Sequence, residues 1–190
     1  MGFLLYYQHM KKRIFIALPL PESVIKLLTE SQQPLVGRRG VHVVQSSKLH
    51  ATLLFLGEVG ISDIPKIKEI VQEEVSALSR VSLSLADVGG FPSDSEATIV
   101  HVSFREPASQ PLKTLRSRLW NSLAPYLDIF VLNEWSPHIT IARSHEPVTV
   151  RELNLKFDDI SWNVESIELW QSSLGPTGTE YSVISTVKLN

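Results

Sequence analysis

Apolar residues in this chain switch repeatedly between strand-like and helix-like spacing, and each switch marks an element. Arg13 to Leu18 is an Ile- and Phe-rich run that reads as a strand. Pro19 and Pro21 end it, and Pro21-Glu22-Ser23 opens a helix to about Glu30. Gly37 to Gly40 reads as a basic loop, Val41 to Val44 as a short strand, and His50 to Leu56 as another strand closed by Gly57. Ile64-Pro65 opens a second helix, with Ile67, Ile70, Val71, Val75 and Leu78 at helical spacing. Val81 to Leu85 alternates apolar and polar residues, as a half-buried strand does. Gly89-Gly90-Phe91-Pro92 reads as a turn and Thr98 to Phe104 as a strand. Leu112, Leu115, Leu119, Trp120 and Leu123 give an amphipathic helix that Pro125 should end. His138 to Ala142 and Val164 to Gln171 read as strands, and Gly175-Pro176-Thr177-Gly178 as a turn before a last strand, Tyr181 to Leu189. The expected class is α+β, with helices packed on mainly antiparallel sheets.

Composition narrows the function. The 190 residues are 43% hydrophobic and 20% charged, ordinary for a globular protein. A net charge of −2 argues against a long polyanion groove, so any nucleic-acid contact should be local. With no cysteine, disulfides, thiol catalysis and Cys-based zinc sites are excluded. Phe3 to Tyr7 is too short to span a bilayer. Lys11-Lys12-Arg13 followed by Ile14 to Leu20 imitates a signal peptide, but no small-residue cleavage site follows. The expectation is a cytoplasmic protein with no membrane association. Residues 1–9 are expected to be an N-terminal extension before a start at Met10, and residues 10–190 one domain or two small lobes sharing a core.

The candidate chemistry lies in a short pattern that recurs. His50-Ala51-Thr52-Leu53 and His138-Ile139-Thr140-Ile141 each set a histidine and a hydroxyl two residues apart in a β-favouring run. Strand side chains alternate faces, so each pair points one way. Two facing pairs would hold a phosphate and move protons at both ends of a bond to phosphorus. The bare pattern arises cheaply, since His101-Val102-Ser103 also fits it. Flanking residues separate the copies: His50 lies in Leu49 to Glu58, and His138 in Ser136 to Arg143.

Those longer strings resemble the 2H phosphoesterase superfamily, and within it the bacterial and archaeal RNA 2′,3′-cyclic phosphodiesterases, historically called 2′–5′ RNA ligases. The first family motif appears as His50 to Gly57 and the second as Pro137 to Arg143. The N-terminal strand appears as Arg13-Ile14-Phe15-Ile16-Ala17, and the C-terminal section as Ser172 to Gly178 through Tyr181. The resemblance implies a bilobal α+β fold with both motifs in a central cleft. It implies opening of a 2′,3′-cyclic phosphate at an RNA 3′ end to a 2′-phosphate, without metal or other cofactor, with ATP-independent joining as the reverse reaction. It makes His138 the base on water and His50 the acid on the 3′ oxygen, roles that exchange for ligation. Thr52, Thr140 and Arg143 would bind the phosphate.

Phe55 matches a family aromatic that stacks on the terminal base, and core packing is the competing reading for an aromatic in this apolar run. Arg38, Arg39 and Lys48 have two readings, as cations that guide RNA phosphates toward the cleft or as a solvated loop, and the sequence does not choose between them. Tyr181 matches a family position without an assigned role. His101 falls where the family has a core strand and is expected to be incidental. The substrate would be an RNA 3′ end or a nucleoside 2′,3′-cyclic phosphate, with no obligatory protein partner. The alternatives are a phosphodiesterase for another small cyclic phosphate and a non-catalytic module that binds a nucleotide or RNA end. A metal hydrolase lacks H-x-H, H-E-x-x-H and any carboxylate beside His50 or His138.

Overall fold

Prolines and glycines cut the chain into short elements that must share one apolar face. The computed structural model describes residues 10–128, 132–155, 160–176 and 178–189. The expected N-terminal extension, residues 1–9, and Thr177 of the expected last turn lie outside the described residues. The elements are β1 (Lys11–Pro19), α1 (Glu22–Ser31), β2 (Val41–Val43), β3 (His50–Gly60), α2 (Ile64–Ser76), β4 (Val81–Phe91), β5 (Ala97–Arg105), α3 (Pro111–Leu123), β6 (His138–Val148), β7 (Ser161–Val164), β8 (Ser166–Gly175) and β9 (Gly178–Lys188).

The strands form one antiparallel sheet in the order β7-β4-β5-β6-β3-β1-β8-β9, with β2 also paired to β6. The core lies on one face. Ile14, Ile16 and Leu18 of β1 pack there with Val24 and Leu28 of α1, Val71 and Val75 of α2, and Leu115 and Leu119 of α3. The opposite face of β1 is also apolar. Phe15 and Ala17 form a second, smaller cluster with Trp170 of β8, on which Tyr181 packs. That explains why β1 reads as an uninterrupted apolar run: it is central and covered on both faces.

The two halves of the sheet meet at a single residue pair between β3 and β6, Ala51 with Ile139. These are the middle residues of the two His-x-Thr patterns. Both are fully buried on the core side, so their flanking His and Thr side chains turn to the other face. The antiparallel register lays His50 beside Thr140 and Thr52 beside His138.

Three sequence expectations need correction. Gly89, Gly90 and Phe91 do not form a turn but continue β4, paired with His101, Val100 and Ile99. The glycines serve close approach: a Cβ on Gly90 would lie 2.3 Å from that of Ala97, and one on Gly89 would lie 2.9 Å from His101 Nε2. Gly57 does not close β3. It sits at φ 75° in a bulge, and the strand runs on to Gly60. The strand expected over Val164 to Gln171 is two strands, β7 on β4 and β8 on β1, so the chain crosses the sheet at Glu165.

A buried glutamine ties α1 to the second motif. Gln32 is 3% exposed, and its Nε2 donates to the Val44 carbonyl (2.9 Å) and the Ile141 carbonyl (2.8 Å). Gln32→Leu removes the side-chain donor from the Val44 carbonyl and one of the donors to Ile141 O, which keeps the Val44 amide (2.8 Å), and should cost about 1–3 kcal/mol of stability. Urea denaturation checks this, and an unchanged midpoint at unchanged slope would refute the clamp.

Candidate active site

On the face opposite the core the sheet encloses a cleft of about 780 Å³, lined among others by His50, Thr52, Phe55, His138, Thr140 and Arg143. The structure therefore brings together every candidate site residue read from the sequence. Alternation alone would not do this. Phe55 lies three residues after Thr52, and Arg143 three after Thr140, which in a regular strand would put each pair on opposite faces. A bulge follows each threonine. Against β1, Ala17 pairs with Thr52 and Ile16 with Leu54, skipping Leu53. Against β5, His101 pairs with Thr140 and Val100 with Ala142, skipping Ile141. Each bulge shifts the phase by one residue, so the fifth residue after each histidine returns to the cleft face.

Each skipped residue has its carbonyl engaged by a side chain from a helical segment. Arg116 Nε on α3 donates to Leu53 O (3.0 Å), and Gln32 after α1 donates to Ile141 O (2.8 Å). The Trp135 indole, just ahead of the second motif, donates to Thr52 O in the first (3.1 Å).

The two histidines are held in the same way. His50 Nδ1 donates to the carbonyl of Lys48 (2.8 Å), and His138 Nδ1 to that of Ser136 (2.7 Å). A carbonyl only accepts, so each Nδ1 carries a proton and Nε2 is the atom left for chemistry. Neutral, it accepts a proton; charged, it gives one.

Their surroundings differ. The rings of Trp170, Phe15 and Tyr181 lie 5.0–5.1 Å from that of His50. Burial in this aromatic box lowers the His50 pKa below 6.5, and the nearby His138 and Arg143 lower it further against the opposing Lys48 carbonyl bond. Trp170 is fixed by its own indole, which donates to Glu168 (2.7 Å), while Thr186 also donates to Glu168 (3.0 Å). His138 instead meets Phe91 (5.1 Å) and His101 (5.2 Å). His101, expected to be incidental, is thus packed against a candidate catalytic ring.

Phe55 is 53% exposed at the cleft, which removes the core-packing alternative. Lys48 also lines the cleft, whereas Arg38 is tied to the carbonyls of Pro34 (3.0 Å) and Glu152 (3.5 Å). Phe15, Trp170 and Phe91 went unassigned from sequence. For Phe15 the signal was present: it is the out-of-phase aromatic in Ile14-Phe15-Ile16. Among the described residues, no group of three or more His, Asp or Glu side chains is arranged to hold a metal ion. Nor is any helix among them long and apolar enough to cross a membrane.

Opening the aromatic box should restore the proton affinity of His50. Trp170→Leu is expected to raise its titration midpoint toward 6.5, read from the imidazole proton resonances. A midpoint that stays put or falls would show that the box does not set it.

Comparison with known proteins places this geometry. The sequence model of the 2′-5′ RNA ligase superfamily matches residues 22–176. An RNA 2′,3′-cyclic phosphodiesterase of Methanocaldococcus jannaschii is 27% identical over 179 residues, spanning 90% of this chain and 98% of that protein. Its namesake from Thermus thermophilus is 29% identical over 183 residues, spanning 93% and 90%. A crystal structure of a Thermus thermophilus protein superposes with a TM-score of 0.79 at 26% identity, covering 93% of this chain and 97% of that one. Escherichia coli LigT complexed with 3′-AMP superposes with a TM-score of 0.75 at 21% identity, covering 95% and 99%, and shares the fold.

Proposed function

The chain belongs to the 2′-5′ RNA ligase superfamily, and from that membership we propose that its cleft hydrolyses the 2′,3′-cyclic phosphate at an RNA 3′ end to a 2′-phosphate. The observation that carries the reading is the pairing of Ala51 with Ile139, which sets two imidazoles and two hydroxyls on one face of the sheet.

The phosphorus sits between the two Nε2 atoms. Water attacks it from the His138 side, and His138 Nε2 takes the water proton. The bond from phosphorus to the 3′ oxygen breaks, and His50 Nε2 protonates that oxygen. Thr52 and Thr140 donate to the non-bridging oxygens, and Arg143 supplies fixed positive charge where negative charge accumulates. Burial keeps the His50 pKa low in the free protein, and the anionic substrate restores its proton by opposing the charges of His138 and Arg143. Phe55 stacks on the terminal base, which suits an enzyme that reads an end rather than a sequence. With a 5′-hydroxyl in place of water, the same steps in the same direction join two RNA ends: His138 takes the hydroxyl proton, the 5′ oxygen bonds to phosphorus, and the 3′ oxygen leaves with the proton from His50. We assign the whole of residues 10–190 to this two-lobed unit, acting in the cytoplasm without an obligatory protein partner.

The test is incubation with an RNA ending in a 2′,3′-cyclic phosphate, in EDTA, with the product phosphate located. Rapid formation of a 2′-phosphate is expected. His50→Ala and His138→Ala should each cost about 10²–10⁴-fold in rate, the usual range for a lost general acid or base. A 3′-phosphate product, activity lost to the chelator, or near-native rates in His138→Ala would each refute the mechanism. Binding without turnover would point to an end-binding module instead.

A further inference from the structure

The third His-x-Ser pattern lies antiparallel on the second. His101 of β5 pairs with Thr140 and Ser103 with His138, so β5 and β6 each set a histidine beside the other's hydroxyl residue. Directly paired residues share a face, which puts His101 on the same side as Thr140 and diagonal to His138. It does not line the cleft: it is 7% exposed and sits beneath the lining residues. Its ring stacks on Phe91, centroids 4.3 Å apart and planes 17° from parallel. The same ring meets His138 edge-on at 5.2 Å, and Phe91 also meets His138 edge-on at 5.1 Å. The three rings form a closed triangle in which His101 supports both others.

A further feature shows that room has been made for this ring, and another that it is held by packing rather than by a hydrogen bond at Nδ1. The missing Cβ of Gly89 would stand 2.9 Å from His101 Nε2, so the neighbouring strand leaves space for the ring. Among the described residues, Nδ1 of His101 is buried without a hydrogen-bond partner. A buried unpaired nitrogen carries a cost that a phenylalanine in the same place would avoid. The titratable groups beside it are His138 and Asp94. Asp94 is itself engaged by the Gly90 amide (2.8 Å).

We infer that His101 is a positioning residue for the reaction: its ring braces His138 and Phe91 so that His138 Nε2 holds its aim at the attacking water. His138 is anchored at Nδ1 by the Ser136 carbonyl, which fixes one point of the ring. Rotation about that anchor is stopped by Phe91 and His101. His50 needs no such brace, being enclosed on three sides by Phe15, Trp170 and Tyr181. The inference rests on the proposed role of His138 as the base.

Steady-state kinetics on the cyclic-phosphate RNA test it. His101→Ala empties the space under His138, and kcat should fall by about tenfold to a hundredfold, the effect of a catalytic group displaced by an ångström. KM should stay within about twofold, because the phosphate and base contacts are untouched. His101→Phe keeps a flat ring on Phe91 and should restore kcat to within about threefold of the parent, whereas His101→Leu, equally apolar but without a ring face, should not. Wild-type kcat in His101→Ala would overturn the inference. So would His101→Phe as slow as His101→Leu while its melting temperature is native. Should His101→Ala fail to fold, the comparison of Phe with Leu still decides. His138→Ala in parallel separates the two levels: if it is active, the role of His138 itself is wrong, and if it is inactive while His101→Ala is normal, only the brace is.

Discussion

The backbone pairing of Ala51 with Ile139 is the contact on which the cleft depends. It joins the two halves of the sheet, and its two residues are the centres of the two His-x-Thr patterns. Because both are buried on the core face, the polar residues on either side of each have one place to go. Antiparallel pairing then crosses them, histidine beside threonine on both sides. The site is thus a consequence of core packing. Whatever keeps Ala51 and Ile139 in the apolar layer also keeps the two imidazoles on the cleft face.

The bulges extend this near-symmetry and then end it. A skipped residue after each threonine returns position 55 and position 143 to the cleft, and a side chain from α3 or from the end of α1 engages each displaced carbonyl. The local design is repeated, but what it delivers differs: an exposed aromatic on one side, a guanidinium on the other. The walls differ too. Around His50 the box is aromatic and disfavours charge, while His138 is flanked by a phenylalanine and a second imidazole whose own pKa burial lowers to about 4. Two histidines with the same Nδ1 anchor thus stand in unlike surroundings, and in the proposed reaction His50 acts as the acid only once the anionic substrate offsets its box.

Much of this was legible in the chain, for a physical reason. Alternation and helical spacing are direct records of which face is buried, so the three helices and most strands could be read off, and the His-x-Thr pairs carried their own facing. Local breaks in that record were harder. Phe55 and Arg143 lie out of phase, and nothing in Leu53 or Ile141 announces a bulge, because a bulge is set by pairing with β1 and β5 and by hydrogen bonds from Arg116 and Gln32, more than 60 and more than 100 positions away. Gly89 and Gly90 looked like a turn because glycine signals freedom, whereas here it answers crowding by Ala97 and His101. His101 looked incidental because its neighbour, His138, is distant in sequence and meets it across strands.

The charge of the cleft fits a local mode of recognition. The whole chain is slightly acidic, yet Arg13, Lys48 and Arg143 all line this one space. Few cations release few counterions, so this site would gain little affinity from a long RNA backbone and should depend weakly on salt. On the proposed reaction its binding energy comes from groups near the reacting end: the phosphate against hydroxyls and guanidinium, and a base against Phe55. That concentrates binding where the charge changes during reaction, and there an interaction can favour the transition state over the ground state. A broad basic face would tighten binding of substrate and product alike, and would leave the rate of bond breaking where it was.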